Sequence, residues 1–368
     1  MARVRRLGEV GALPGGGVAR LALGDEDRAG RDLVAGWMRD LGLVVSVDAI
    51  GNVVGVRPGR QAGAPVMTGS HIDTERTGGL YDGNLGVLAG LEVIETLNDA
   101  GIETVHPLAV AFFTNEEGAR FAPDMMGSLV FVGGLPLEAA LETVGIDGRS
   151  VGAELARIGY AGERPVGAAA NPVRAFVELH VEQGPVLEEE GIAIGAVDSV
   201  QGISWTEFTI AGTSNHAGTT PMRLRHDAGW AAASIACFVR ALAAEMGGDQ
   251  VATVGSFEVK PNLVNVVANH ARLTVDLRNT DESLLREAEA RLFAHVEAIA
   301  GSEGVSIEHR RLARFEPVPF DPAMVARVEA TARAGGISHN VKEYTAPGDI
   351  EAGANVLLRV LHDLAQEQ

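Results

Sequence analysis

Leu108-Ala-Val-Ala-Phe-Phe113 runs without a polar residue into Thr114-Asn115-Glu116-Glu117-Gly118. A short run that is apolar throughout predicts a central parallel strand buried on both faces. Loops at the C-terminal ends of such strands are where α/β sheets carry ligands. The pattern recurs on either side. Val66-Met67-Thr68 leads into Gly69-Ser70-His71-Ile72-Asp73, and Ala175 to Leu179, read as a similar strand, leads into His180-Val181-Glu182-Gln183-Gly184. Between them lies Gly78-Gly79-Leu80-Tyr81-Asp82-Gly83-Asn84. Each piece puts a metal-capable side chain just after a strand or in a glycine-rich loop. Together they describe a site for two divalent metals and an acid–base carboxylate.

Working outward, strands alternate with helix-period segments over residues 1–199, which predicts an α/β domain. Helical spacing of apolar residues covers Asp32 to Leu41, with Gly42 as C-cap, and a further helix is expected from Leu85 to Leu97. Leu43 to Val56 reads as two short strands about the Gly51-Asn52 turn. Over residues 200–312 the pattern changes to strand Ser204–Ile210, helix Asp227–Met246, strands Val251–Phe257 and Val264–Leu277, helix Glu282–Ile299 and strand Val305–Leu312. That β-α-β-β-α-β order predicts an inserted ferredoxin-like α+β domain. Residues 313–368 return to the first domain. The predicted class is α/β: a mixed-sheet metallohydrolase domain with helices on both faces, plus the inserted domain.

Composition narrows the function. Of 368 residues, 49 are Asp or Glu and 30 are Lys or Arg, a formal charge of −19. Such a chain is a poor binder of nucleic acid or anionic membrane. The one cysteine, Cys237, excludes an intrachain disulfide, fits a reducing compartment and is expected in the core, as are Trp205 and Trp230. The basic N-terminus has no apolar stretch behind it and no run approaches a membrane span in length. The expected location is the cytoplasm.

The chemistry rests on convergence, since a single His-x-Asp is weak evidence. Asp73 is placed to hydrogen-bond the imidazole of His71, fixing its tautomer. Asp82 sits among Gly78, Gly79 and Gly83, where backbone can bend around an ion, and its two oxygens can bridge two cations. Of Glu116 and Glu117, one can ligate metal while the other moves a proton to a leaving nitrogen. Ser70, Ser204 and Ser214 lack a Ser-His-acid pattern, which argues against a serine hydrolase.

Eight stretches carry a wider resemblance: Gly69-Ser-His-Ile-Asp73, Gly78 to Val87, Thr114-Asn-Glu-Glu-Gly-Ala-Arg-Phe121, Glu178-Leu-His-Val-Glu-Gln-Gly-Pro185, Asn215-His-Ala-Gly-Thr-Thr-Pro-Met222, Pro261 to Val267, Asp276-Leu-Arg278 and Gly335-Gly-Ile-Ser-His-Asn340. In this order they resemble the M20 peptidase superfamily, and within it amidases of hydantoinase/carbamoylase type, which include N-carbamoyl-L-amino-acid hydrolases and allantoate amidohydrolases. The resemblance implies that His71, Asp82 and His180 hold one metal, and that Asp82, Glu117 and His339 hold a second. The ions would be Zn or Mn, with Co or Ni also fitting. It implies Glu116 as general base and His216 as oxyanion donor at the partner subunit's site. Gln183, Asn265, Arg278 and Gly336 would bind substrate, with Arg278 donating to the substrate carboxylate. The inserted domain would serve as lid and homodimer interface. The implied reaction cleaves a C–N bond of a ureido compound with a nearby carboxylate, an N-carbamoyl-L-amino acid or allantoate. Two alternatives stay open: aminoacylase or dipeptidase chemistry, and a catalytically impaired relative.

One departure stands out. Relatives carry a loop-helix-strand unit between the helix at Ala323–Ala334 and the Gly-Gly-Ile-Ser-His motif, and here roughly thirty residues, about one strand-helix-strand motif, are missing before Gly335. The expectation is that the His71/Asp82/His180 site persists while the Glu117/His339 site is weakened.

Overall fold

A computed structural model describes residues 1–334 and 347–367. Residue contacts divide the chain into two units, Met1–Ala196 with Ala326–Gln368, and Val197–Val325.

The first unit begins with helices α1 (Ala2–Gly8) and α2 (Asp25–Asp40), then strands β1 (Val44–Val47) and β2 (Val53–Arg57). The β1–β2 hairpin turns where Gly51 adopts φ +85° and Asp48 accepts the backbone N–H groups of Ile50 and Asn52. Next come β3 (Val66–His71), α3 (Asn84–Asp99), β4 (Leu108–Phe113), α4 (Met126–Val132), α5 (Leu137–Glu142), α6 (Val151–Ile158), β5 (Ala175–Phe176) and α7 (Val186–Glu190). The sheet order is β1-β2-β4-β3-β5, antiparallel across β1, β2 and β4 and parallel across β4, β3 and β5.

Every residue of β3 and β4 is buried; the unbroken apolar run of β4 suits this, whereas β3 also buries Thr68, Ser70 and His71. Their parallel register, Val66 opposite Leu108 through His71 opposite Phe113, brings His71 level with the end of β4, three residues before Glu116. α3 packs on β3 and β4 and against the C-terminal helix, and buries Leu88, Leu91, Ile94 and Leu97. Each such side chain contributes about 1.5–3 kcal/mol by leaving water. The start of α3, beside Asp82, is thereby held rigidly against the sheet.

The expectation of a buried strand from Ala175 to Leu179 needs correction. β5 has two residues, paired to β3 at Val66↔Ala175 and Met67↔Phe176, and Phe176 is exposed. Among the described residues no strand pairs with its outer flank, so nothing holds the ladder beyond the Val177 N–H bond to Met67. The apolar residues that mimic a central strand work on one side only: Phe176 packs on Phe113, ring centroids 6.0 Å apart.

The second unit comprises β6 (Ser199–Val200), β7 (Gly202–Ala211), α8 (Ala228–Met246), β8 (Val251–Lys260), β9 (His270–Asn279), α9 (Glu282–Glu303), β10 (Ser306–Phe315) and β11 (Val318–Pro319). β7, β8, β9 and β10 form an antiparallel sheet in the order β10-β7-β9-β8. Two helices inserted after the first and third of these strands give the ferredoxin-like pattern. Asp227 and Asp281 cap α8 and α9, each accepting two backbone N–H groups. Alternate residues of β9, Ala271, Leu273, Val275 and Leu277, are buried in the core between sheet and helices. The unit extends past Leu312 because β10 runs to Phe315 and β11 turns back onto β6.

The strand expected from Val264 starts only at His270. Asn262 takes φ +57° and Val266 N–H bonds back to Leu263, so residues 262–266 are a turn. Cys237 and Trp230 are exposed, not core. They lie seven residues apart on the outer stripe of α8, whereas Ala231, Ile235, Val239 and Leu242 face inward. Trp205 is half-buried. By length and composition alone α8 could cross a membrane, but its inward stripe fills the core of this unit.

Two further helices complete the chain. α10 (Pro322–Ala334) spans the boundary between the units, and α11 (Pro347–Gln366) packs Val356, Val360 and other apolar residues in the first unit, against α3 and β3.

Candidate metal and catalytic site

His71 closes β3. Its Nδ1 lies 2.9 Å from the main-chain carbonyl of Asp73, which can only accept, so Nδ1 carries the proton and Nε2 is left to face the site. His180 repeats the device with the Val181 carbonyl at 2.9 Å. Both Nε2 atoms converge on Asp82 Oδ1, at 3.9 Å from His71 and 3.2 Å from His180. The ligand atoms of His71, Asp82 and His180 all lie within 4.8 Å of one another. Asp82 Oδ1 is buried without a well-aligned hydrogen bond, while Oδ2 accepts from the Gln183 amide at 2.9 Å. Two imidazole nitrogens and one carboxylate oxygen, with that oxygen orphaned, fit a borderline divalent cation.

The glycine loop is shaped by the histidine. Gly83 has φ +64°, and a Cβ there would overlap the His71 ring at Nε2. Asp82 comes close to His71 only because its neighbour has no side chain.

Glu116 and Glu117 lie on the loop after β4. Asn115 enters it at φ +54° and its amide donates to the carbonyls of Phe121 and Pro123. Glu116 Oε2 is 3.2 Å from His71 Nε2. The Asp73 carboxylate does not hydrogen-bond the imidazole of His71 as expected, since Oδ1 stands 4.0 Å from Nδ1. Its oxygens instead accept the backbone N–H groups of Glu116 and Glu117, at 3.3 and 3.2 Å. The two amides arrive from β4 on the carboxylate side, leaving the imidazole to the main-chain carbonyl.

The charges reinforce the cation reading. Burial pushes the Glu117 carboxyl up to about 7, with Asp82, Glu116 and Asp73 adding and His71 opposing. Burial likewise raises Glu116 and Glu178. The His180 imidazole 3.2 Å away holds Asp82 below its ordinary range, and Asp82 in turn raises His180 to about 9. A dication would relieve this crowd of carboxylates.

The other expected residues lie apart. Gln183 belongs to the first unit and is engaged with Asp82. His216 and Asn265 belong to the second unit, on adjoining turns joined by the Ala217 N–H bond to the Asn265 carbonyl at 2.9 Å. His216 Nδ1 accepts from Gly218 N–H at 3.1 Å, so Nε2 bears the proton and is a donor. Arg278 stands on β9 beside Asp276, with Nη2 to Oδ2 at 3.0 Å, and over the Trp205 ring. Gly336 and His339 lie outside the described residues. Among the described residues Glu117 is not part of the converging ligand group.

The sequence profile of Peptidase family M20/M25/M40 matches residues 67–363, which takes in every described residue of the site. The chain belongs to this family. An M20 relative, the N-carbamoyl-L-amino-acid amidohydrolase of Rhizobium meliloti, is 43% identical over 334 residues, covering 90% of this chain and 80% of that protein. The corresponding enzyme of Geobacillus stearothermophilus is 37% identical over 400 positions, covering 99% of this chain and 97% of that protein. The alignment is 400 − 368 = 32 positions longer than this chain, so the relative carries residues that have no counterpart here. A hydantoinase/carbamoylase family amidase from Burkholderia multivorans superposes with a TM-score of 0.93 at 41% identity, covering 100% of this chain and 97% of that one.

Sequence reading of the M20 motifs passed over Arg20. It is wholly buried and bonds to residues within two positions of two of the three expected ligands. The available signal was a lone cation in the apolar run Val18-Ala19-Arg20-Leu21-Ala22-Leu23.

Proposed function

We propose that this chain is a metal-dependent amidohydrolase cleaving a C–N bond of a ureido compound with a nearby carboxylate, first among them an N-carbamoyl-L-amino acid. The observation that carries the reading is the convergence of His71, Asp82 and His180 with Glu116 3.2 Å from His71 Nε2. Relatives at 43% and 37% identity bear the name of this activity.

A divalent ion held by His71, Asp82 and His180 supplies Lewis acidity toward a carbonyl and a nearby water. The protein's own groups do the rest. Glu116 takes the proton from the attacking water and returns it to the leaving nitrogen. His216, with Nε2–H as donor, stabilises the developing oxyanion at the partner subunit's site. Arg278 grips the substrate carboxylate by its planar fork, and Asn265, Gln183 and Gly336 orient the ureido acid. The products are an amine, ammonia and carbon dioxide. A second ion would share Asp82 and take Glu117 and His339, with Zn or Mn favoured and Co or Ni compatible.

The second unit is proposed as lid and homodimer interface. β8 is an edge strand with exposed Val251 and Phe257, and Trp230 on α8 is 57% exposed, a combination that invites a second copy. The acidic charge and single cysteine fit a cytoplasmic enzyme. Hydrolysis of a panel of N-carbamoyl-L-amino acids, allantoate, N-acyl amino acids and dipeptides, by metal-free protein reloaded with Mn or Zn, tests the reading. Metal-dependent ammonia release from the carbamoyl compounds supports it. Cleavage of dipeptides alone assigns aminoacylase or dipeptidase chemistry, and no turnover with metal bound assigns an impaired relative.

A further inference from the structure

We propose that Arg20 is a positioning residue of the metal centre: its buried guanidinium sets the spacing between the His71 loop and the Asp82 loop. The inference rests on reading His71, Asp82 and His180 as metal ligands.

Arg20 is 0% exposed, and among the described residues no carboxylate comes within ion-pair distance of it. A buried cation is costly unless its donors are satisfied. Here four hydrogen bonds engage all three nitrogens, and their acceptors are telling. Nε donates to the Ile72 carbonyl at 2.7 Å, one residue from His71. Nη2 donates to Asn84 Oδ1 at 2.9 Å, two residues from Asp82 and at the first position of α3. Nη1 donates to the Leu7 and Val10 carbonyls, at 3.2 and 2.8 Å, just where α1 ends. The main chain adds a clamp: Arg20 N–H donates to Thr74 Oγ1 and Thr74 N–H to the Arg20 carbonyl. One planar fork therefore touches both ligand-bearing loops and ties them to the N-terminal helix.

The stem is wedged as well. A Cβ built on Gly30 of α2 would stand 2.9 Å from Arg20 Cδ and 3.3 Å from Nε. Glycine at position 30 leaves the room through which the side chain reaches the site. A methyl group there would push the fork without altering any ligand or its immediate neighbours.

Titration of the metal-free chain with Zn2+ against a chelating dye, beside thermal melting of the same metal-free protein, tests this. In Arg20→Met the tight zinc affinity should fall about tenfold or more. Arg20→Lys should not restore it, because an ammonium cannot span both the Ile72 carbonyl and Asn84. Gly30→Ala should shift the affinity in the same direction by a smaller factor while staying folded. If Arg20→Met does not fold, Arg20→Lys and Gly30→Ala decide. Unchanged zinc affinity in these variants, with only the metal-free melting temperature lowered, would overturn the proposal and make Arg20 an anchor for α1. A wild-type chain that takes up no zinc would overturn both the metal centre and this role.

Discussion

Gly83 lies against the imidazole of His71, so close that any side chain on it would occupy the space at Nε2 where the ligand atoms of Asp82 and His180 converge. Its φ of +64° adds a backbone cost for any other residue. Gly83→Ala should therefore abolish tight metal binding, while the apolar packing of α3 and β3 keeps the fold. Gly79, in the same loop, has a negative φ, and a methyl group on it would meet nothing within 4 Å, so Gly79→Ala should bind metal like the wild type. Zinc titration of the pair checks both, and equal affinity in Gly83→Ala would refute the close-approach argument.

Asp73 separates two roles that the sequence merges. Its main-chain carbonyl fixes the His71 tautomer, and its carboxylate holds the amides of Glu116 and Glu117. Asp73→Asn keeps the carbonyl and one acceptor but turns a donor toward the second amide. The loop bearing Glu116 should move while the metal ligands stay. The expected outcome is a kcat lowered about tenfold to a hundredfold, the range that an ångström of misplacement brings, with metal affinity held within a few-fold. Steady-state kinetics beside metal titration would show it. Loss of metal binding ahead of kcat would instead give the carboxylate a role at the imidazole.

Glu154 on α6 gives a pH dependence. Burial pushes its carboxyl up, but hydrogen bonds from Arg157, Arg120 and Arg149 outweigh this and hold it down at about 2, against 4.5 for the ordinary group. A carboxyl depressed on folding contributes stability that is whole above its unfolded value and fades as pH falls toward its folded one. The stability gap between wild type and Glu154→Gln should thus be constant from neutral pH down to 4.5 and narrow toward about 2. Denaturant unfolding across that range measures it. Arg120, which also donates to the Ala22 carbonyl, is four residues beyond Glu116, so the cluster steadies the loop that bears Glu116 as well.

These examples mark where sequence is legible. β4 could be read because a strand buried on both faces favours an unbroken apolar run, β3 from its apolar Val66-Met67 start ahead of Gly69-Ser70-His71, and the glycines around Asp82 flagged a bend. The β-α-β-β-α-β order of the second unit followed from helical and alternating periods long enough to average out local exceptions. β5 misled because two residues on a sheet edge look like the start of a central strand. Trp230 and Cys237 misled because residue type does not say which stripe of α8 faces the core. Arg20 and the carboxylate of Asp73 were illegible for another reason: their partners are backbone groups of distant segments, which carry no residue signature.

The adjacent carboxylates offer the sharpest test of the proposed chemistry. Glu116 faces the Nε2 atom of His71, while Glu117 stands outside the converging group and is pushed up to about 7 by burial among neighbouring carboxylates. If Glu116 moves the proton, Glu116→Gln should lower kcat about 10²–10⁴-fold, the range of general acid–base catalysis, with the metal content unchanged. If Glu117 is a ligand of a second ion, Glu117→Gln should lower the metal stoichiometry or the weaker affinity, with the tight His71/Asp82/His180 site kept. Metal analysis after dialysis, beside turnover of an N-carbamoyl-L-amino acid, separates the two. Should Glu116→Gln lose metal and Glu117→Gln lose only turnover, the roles of the pair are exchanged, and the loop held by Asp73 presents Glu117 rather than Glu116 to the attacking water.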